Sequence, residues 1–202
     1  MKSFKINFGG IKREYPIVRL SETVRGVYFF LPGDVPLTEY CAEQILEKSS
    51  GFGFDIVVVP EVGGIPLAHS LARRTEKEYL VIRKRSRLYM KKPIIEDIRS
   101  ITTSGIQQLV LDSRDVPKIK DKRVLVLDDV ISTGDTLRGL INLIVKCGAE
   151  LAGIAAIFLE GDTTAGSLES AYQCPVIYLD SLPVFPDIPE KQLPHKEAQN
   201  VA

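Results

Sequence analysis

Apolar residues change their spacing along the chain. From Lys2 to Leu31 they alternate with polar ones, through Phe4, Ile6 and Phe8 and again through Tyr15, Ile17, Val18 and Leu20, with Gly9-Gly10 between. A period of two predicts short antiparallel strands. The turn Pro32-Gly33-Asp34 ends this stretch, and Leu37, Cys41, Ile45 and Leu46 then fall near helical spacing, which predicts a helix over Val35 to Lys48. Thr38 and Gln44 give this helix no clean cap. From Asp55 onward apolar runs alternate with helical patterns. They predict strand Ile56 to Val59, helix Pro66 to Arg74 and strand Tyr79 to Arg83. After an interruption come strand Arg123 to Asp129, helix Asp135 to Cys147, strand Leu151 to Leu159, a weaker helical pattern near Ser167 to Tyr172, and strand Val176 to Leu179. Strands that alternate with helices build a parallel sheet covered on both faces. The predicted class is therefore α/β, a doubly wound parallel sheet of five core strands.

Residues Ser86 to Lys122 break this rhythm with a polar stretch that contains Ser100-Ile-Thr-Thr-Ser-Gly105 and a strand-like Gln108 to Leu111. A long irregular excursion inside a compact domain is usually a functional lid. The expected division is hood strands over 1–34, an α/β core over 35–182 with the lid at about 86–112, and a tail over 183–202 that adds to the hood. Pro183, Pro186, Pro189 and Pro194 forbid a long helix in that tail.

Composition narrows the chemistry. The chain has 202 residues, enough for one domain with an appended subdomain. Lys and Arg together number 26, as do Asp and Glu, so no global positive field exists to attract nucleic acid. Cys41, Cys147 and Cys174 are far apart and form no metal-binding pattern, which fits free thiols in a reducing compartment. Met1 to Gly10 has no apolar core of the kind a signal peptide needs, and no apolar run is long enough to cross a membrane. A cytoplasmic protein without nucleic-acid or membrane partners is the expectation.

The richest segment is Val124-Leu-Val-Leu-Asp-Asp-Val-Ile-Ser-Thr-Gly-Asp-Thr136. Val124 to Leu127 has no polar face, as a central parallel strand requires. Ligands bind at the carboxyl ends of such strands, where Asp128 and Asp129 leave on opposite sides. Ser132 to Thr136 then offers small residues, hydroxyls and backbone N–H groups at the start of a helix, the elements of a phosphate cradle. An ordinary strand, turn and cap would leave the two acids unexplained. A second tight turn, Pro60-Glu-Val-Gly-Gly-Ile-Pro66, follows the strand Ile56 to Val59 and by the same backbone logic can bind an anion. After the strand ending at Arg83 come four cations in five positions, Arg83, Lys84, Arg85 and Arg87. Arg85 alternates away from Lys84 on an extended chain. His69 falls on a mostly apolar helical segment, more often a core position than a catalytic one, and His195 has no visible role.

The segment Val124 to Thr136 resembles the phosphoribosyl-pyrophosphate (PRPP) signature of the type I phosphoribosyltransferases, a hydrophobic strand, two acids, two variable residues and Ser/Ala-Thr-Gly-x-Thr. The resemblance implies that Asp128 and Asp129 hold the ribose 2- and 3-hydroxyls. It implies that Ile131, Ser132, Thr133, Gly134, Asp135 and Thr136 wrap the 5-phosphate, and that Glu61, Val62, Gly63 and Gly64 contact pyrophosphate. The basic segment is similar to the Arg-Lys-x-x-Lys-Leu lid entrance of adenine phosphoribosyltransferases, which implies that Arg83, Lys84 and Arg87 grip PRPP or its pyrophosphate. The implied reaction is attack of a base nitrogen on the anomeric carbon with departure of Mg²⁺-bound pyrophosphate, and the implied assembly is a homodimer. Such chemistry needs positioning, charge neutralisation and exclusion of water more than a protein nucleophile.

Two departures leave the acceptor open. Gly63-Gly64-Ile65 stands where adenine enzymes have an Arg-Gly-Phe element, and Thr103 stands where their lid carries a Glu. The substrate is then a 6-oxopurine, or adenine used without that carboxylate. A PRPP-sensing regulator without catalysis and an orotate-type transferase are further readings. Base selection in this superfamily usually lies in the hood, here Phe4 to Leu31 with the tail from Leu182, where Phe29, Phe30 and Phe185 are candidates to stack a flat base.

Overall fold

The structure is a computed structural model that describes residues 3–99 and 106–186. Thr103, His195 and the tail from residue 187 lie outside the described residues. Five strands form the central sheet: β4 (Ile56–Pro60), β5 (Glu78–Ile82), β8 (Arg123–Ile131), β9 (Glu150–Glu160) and β10 (Val176–Leu182). They run in the order β10-β9-β8-β4-β5, and every pair is parallel.

Alternation along the strands explains the two covered faces. In β4, Ile56 and Val58 point to one face and Val57 and Val59 to the other, and in β8 Val124 and Val126 oppose Leu125 and Leu127. Helices α3 (Asp135–Lys146) and α4 (Ala165–Tyr172) cover the first face, with Leu140, Leu143 and Ile144 of α3 fully buried. The second face is covered by α1 (Val35–Lys48) and α2 (Ile65–Thr75), through Leu37, Cys41, Ile45, Leu67 and Leu71. Burying one such aliphatic side chain stabilises the fold by roughly 1.5–3 kcal/mol.

Helix α1 is capped, contrary to the expectation from Thr38 and Gln44. Asp34 accepts a hydrogen bond from the Leu37 amide at 3.3 Å and an ion pair from Arg13, Nε to Oδ2 at 2.6 Å. Asp34 sits in the turn before Val35-Pro36, so its neighbours in sequence advertised a turn rather than a cap. The Arg13 guanidinium holds the Asp34 carboxyl below its ordinary value, against the opposing effect of burial.

A separate antiparallel sheet forms the hood: β1 (Ser3–Phe8), β2 (Ile11–Arg19), β3 (Val24–Val27) and β11 (Val184–Pro186), in the order β1-β2-β3-β11. Residues from the two ends of the described chain thus share one sheet. Phe8 and Phe29 seat this sheet on Phe158 of β9, with ring centroids 5.6 and 4.9 Å away. The Phe29–Phe158 pair is edge-to-face, a geometry that adds about 0.5–1.5 kcal/mol beyond area burial.

The stretch Ser86 to Lys122 is more ordered than its polar composition suggested. Strands β6 (Ile94–Arg99) and β7 (Ile106–Leu111) pair antiparallel, and a 3-10 helix follows over Ser113–Lys118. Ile98 and Leu109 are buried against Gly139 of α3, where an added Cβ would come within 2.8 Å of Ile98. An Arg83–Val110 backbone bridge joins the hairpin to the end of β5. Its base is pinned by buried Asp112, which accepts from Arg114 at 2.6 Å and from the Lys91 amide at 3.4 Å. The three cysteines are free and buried. His69 is exposed rather than in the core, its ring edge-on to Tyr79 at 5.8 Å. Among the described residues no helix is long and apolar enough to cross a membrane.

Candidate functional site

From β4 the chain winds one way to β5, and from β8 the other way through β9 to β10, so the order reverses between β4 and β8. Open α/β sheets bind ligands in the crevice at such a switch point, beyond the carboxyl ends of the strands. The two segments picked out in the sequence, 61–64 after β4 and 128–136 at the end of β8, flank that crevice.

Strand β8 runs on to Ile131, two residues further than the predicted end at Asp129, and carries both acids. Asp128 borders the cradle formed by residues 130–137, whereas Asp129 borders a different hollow, under the hood with Val27, Tyr28 and Phe29. Each carboxylate accepts a hydrogen bond from the next amide, Asp128 from Asp129 at 2.9 Å and Asp129 from Val130 at 3.1 Å. No cation pairs with either among the described residues, although the charge of Lys84 is felt by both. Burial raises the Asp128 carboxyl well above its ordinary value, and the neighbouring Asp129 charge adds to this; burial raises Asp129 as well. Two desolvated carboxylates kept side by side without a counter-ion are unfavourable for folding.

The loop after β4 lies directly on these acids. The Glu61–Val62 peptide is cis. A Cβ on Gly63 would stand 2.0 Å from Asp129 Oδ2, and one on Gly64 would stand 3.3 Å from the Asp128 Cα and from the Asp129 amide nitrogen. Only glycine lets this backbone approach the carboxylates so closely. Helix α2 begins at Gly64 without a side-chain cap; its Ile65 amide donates to the Val62 carbonyl at 3.2 Å, and Pro66 has no N–H to offer.

Glu61 enters the site differently from the sequence expectation that grouped it with the pyrophosphate contacts. Its carboxylate is turned to the end of β5, where it accepts from the Lys84 amide at 2.7 Å and from Arg83 Nη1 at 3.4 Å. Burial pushes this carboxyl up, but the Lys84 amide, Arg83 and the charge of Arg87 outweigh it and hold it below the ordinary value. An ionised carboxylate repels pyrophosphate and the Glu61 amide donates to the Ile82 carbonyl at 2.9 Å, so this residue organises the basic segment and neither its carboxylate nor its amide is free for an anion. Lys84 and Arg85 are exposed, whereas Arg87 is half-buried near Glu61.

The cradle after β8 also divides between backbone and side chains. Ile131 is 3 % exposed and belongs to the core, so it offers the cradle its backbone alone. Asp135 is buried, accepting from Thr133 Oγ1 at 2.8 Å and from Arg138 at 2.7 Å. These two bonds turn an acid away from the cradle and neutralise it. Ser132 is exposed, and its carbonyl accepts from the Thr163 hydroxyl. Gly134 has φ +78°, the left-handed region that favours glycine, and α3 starts there with no side-chain cap. The result is a hollow at a helix N-terminus, an arrangement whose backbone N–H groups and dipole favour an anion.

Of the aromatic candidates, Phe29 lines the hollow at Asp129, although its ring is largely spent on Phe158 and Tyr15. Phe30 is half exposed and stacks on Tyr28 at 6.3 Å. Phe185 is paired in β11 opposite Arg25. Tyr28 and Glu160 border the Asp129 hollow as well, and neither was singled out from the sequence. The signal for Glu160 was present, a single charge closing the apolar run Ala152 to Leu159.

The chain is similar to several known proteins. The chain is 34 % identical over 122 residues to a hypoxanthine/guanine phosphoribosyltransferase of Methanotorris igneus, a match covering 60 % of this chain and 62 % of that one. It is 31 % identical over 157 residues to one of Methanocaldococcus vulcanius, covering 73 % and 79 %. An adenine phosphoribosyltransferase of Kosmotoga olearia is 31 % identical over 117 residues, covering 58 % of this chain and 66 % of that one. In fold, the crystal structure of an adenine phosphoribosyltransferase from Thermoanaerobacter pseudethanolicus superposes with a TM-score of 0.63 at 21 % identity, over 73 % of this chain and 82 % of that one. The phosphoribosyl transferase domain model matches residues 38–187, which run from the first turn of α1 through the hood strand β11, and the chain belongs to that family.

Proposed function

We propose that this chain is a purine phosphoribosyltransferase that transfers the 5-phosphoribosyl group of PRPP to a purine base, releasing pyrophosphate. The observation that carries the reading is the convergence of two uncapped helix starts on the Asp128–Asp129 pair at one switch point. PRPP has one phosphate at each end of a ribose, and the crevice offers two anion-binding backbones with two hydroxyl acceptors between them. The names of the relatives point to purines. Arg83, Lys84 and Arg87 at the mouth favour turnover over mere sensing, because cations there neutralise the pyrophosphate as its bond to ribose breaks. No observation favours an orotate acceptor.

Mg²⁺ fits this donor set. Mg²⁺ keeps several waters and is held by one or two carboxylates plus substrate phosphates, and no group of three or more acidic, His or Cys side chains that would cage a metal occurs among the described residues. Asp128 and Asp129 supply hard oxygen donors beside the anion loops. The ion would screen the charge of the pyrophosphate, while the protein holds the ribose and excludes water. A homodimeric, cytoplasmic enzyme is part of the proposal on the family likeness alone.

The test is to incubate the protein with PRPP, Mg²⁺ and, separately, adenine, guanine, hypoxanthine, xanthine and orotate, following pyrophosphate. Turnover with a purine is expected. PRPP binding without pyrophosphate release from any base would overturn the enzyme and leave a sensor.

A further inference from the structure

Strand β9 lies beside β8, with Ala156 opposite Asp128 and Leu159 opposite Ile131, so its last residue, Glu160, reaches the same edge of the sheet as the acid pair. Glu160 helps enclose a hollow of about 250 Å³ between sheet and hood. Leu20, Val27 and Tyr28 form its upper wall, and Asp129, Ser132 and Glu160 its lower one. A larger cavity of about 590 Å³ extends from there along Gly161, Asp162 and Thr163, sharing Leu20, Ser132 and Glu160 with the first. The Glu160 carboxylate stands where the two meet. It also lies close under the hood, since a Cβ on Gly26 of β3 would come within 3.1 Å of Oε1.

No hydrogen-bond donor or cation partners this carboxylate among the described residues, and burial alone raises its pKa. A half-buried carboxylate with no partner is unfavourable unless a ligand supplies N–H groups. The position is suited to a base. Asp129 marks the ribose side of the hollow, Tyr28 gives an aromatic wall, and Glu160 faces the space on the far side of Ser132 from the phosphate cradle.

Resting on the transferase reading, we propose that Glu160 selects the base: its carboxylate accepts hydrogen bonds from an exocyclic amino group, so that aminopurines, adenine or guanine, are preferred over xanthine and hypoxanthine. At C6 hypoxanthine and xanthine carry a carbonyl oxygen where adenine carries its amino group; at C2 xanthine carries a carbonyl oxygen and hypoxanthine only a C–H where guanine carries its amino group, so neither offers the carboxylate an exocyclic donor. Sites built to receive a substrate N–H discriminate strongly because the analogue leaves their polar atom unpaired.

Steady-state kinetics on the wild type and Glu160→Gln across the four purines test the assignment, with thermal melting as the check on folding. In the wild type, kcat/KM for adenine or guanine should exceed that for xanthine and for hypoxanthine at least tenfold. In Glu160→Gln, whose amide can donate to a carbonyl, this ratio should fall at least tenfold, through the KM for the base, with the KM for PRPP unchanged. A wild type that prefers xanthine or hypoxanthine, or a Glu160→Gln variant with the wild-type base ratios, would overturn it. Absence of turnover with every base sinks the transferase reading instead. Calorimetry of adenine, guanine and xanthine in the presence of PRPP then decides: aminopurine binding weakened in Glu160→Gln supports the role of Glu160, and equal or absent binding refutes it.

Discussion

Helices α3 and α4 lie on the same face of the sheet and both begin at its carboxyl edge, yet their first turns are closed in opposite ways. Thr164 and Ser167 form a reciprocal capping box over α4, each backbone amide donating to the other's hydroxyl oxygen, at 3.2 and 3.3 Å. Helix α3 begins at Gly134 with no side-chain cap, and α2 on the other face begins at Gly64 in the same way. The difference follows position. Helix α4 follows β9, one strand beyond the reversal of strand order, and has satisfied its own donors. Helices α2 and α3 flank the reversal itself and start without a side-chain cap. Side-chain capping is thus absent at the two helix starts that flank the acid pair and present at the one a strand further on, a partition like that between stability and function.

The contrast can be broken most severely at the acids between the open ends. Asp128→Asn combined with Asp129→Asn should weaken PRPP binding on the order of 100-fold or more, because hydrogen bonds to charged groups contribute about 1.5–3 kcal/mol each. Calorimetric titration with PRPP and Mg²⁺ measures this, and an unchanged affinity would remove the ribose grip from these residues. Next in size is Gly63→Ala, whose Cβ would displace the Asp129 carboxylate. A loss in PRPP affinity of roughly tenfold or more is expected, from ~1.4 kcal/mol of misplacement per decade, and wild-type affinity would mean that the loop does not shape the pocket.

The same acids sharpen the comparison through pH. Their carboxyls are raised in the folded protein, so the native state holds protons that the unfolded chain releases, and stability falls as pH rises from the ordinary carboxylate range through the raised values. The double Asn variant should therefore melt at a higher temperature than the wild type near neutral pH, with the gain vanishing as pH falls to the ordinary range. A variant less stable than wild type at neutral pH would show that the pair is not under strain. The smallest effects belong to the closed helix. Thr164→Ala should remove about 1 kcal/mol of stability, read by denaturant unfolding. Gly166→Ala, where an added Cβ meets nothing within 4 Å, should add about 0.5–1 kcal/mol. Neither should alter PRPP affinity; a change in binding for either would erase the distinction between open and closed helix starts.

Legibility in the sequence tracked the range of the interactions. The run from Val124 to Thr136 could be read because its strand, acids and loop are consecutive, and local backbone geometry dictates what each can do. The Asp34 cap is local, an amide three residues on, and was missed because Pro32-Gly33 around it reads as a turn; its ion pair with Arg13 of the hood joins residues 21 positions apart. Strand β6 escaped because Ile94 to Arg99 has little pattern until Ile98 is set against α3. Thr38 and His69 misled for a related reason, since helical spacing says that a face is apolar but not which turn of it reaches the core. Glu160 showed in the sequence only as a lone charge closing an apolar run, because its surroundings depend on the hood strand opposite.

By itself the sequence determined the kind of sheet, and it singled out the acid pair and the two glycine turns beyond the carboxyl ends of its strands, because strand alternation, glycine turns and helix starts are properties of neighbouring residues. Tertiary structure decided which groups confront one another: Gly63 against Asp129, Glu61 against Arg83 and the Lys84 amide, Glu160 beneath Gly26 of the hood. Those pairings join residues 22 to 134 positions apart, and burial, electrostatic neighbours and the shape of a cavity exist only after the chain has closed such distances.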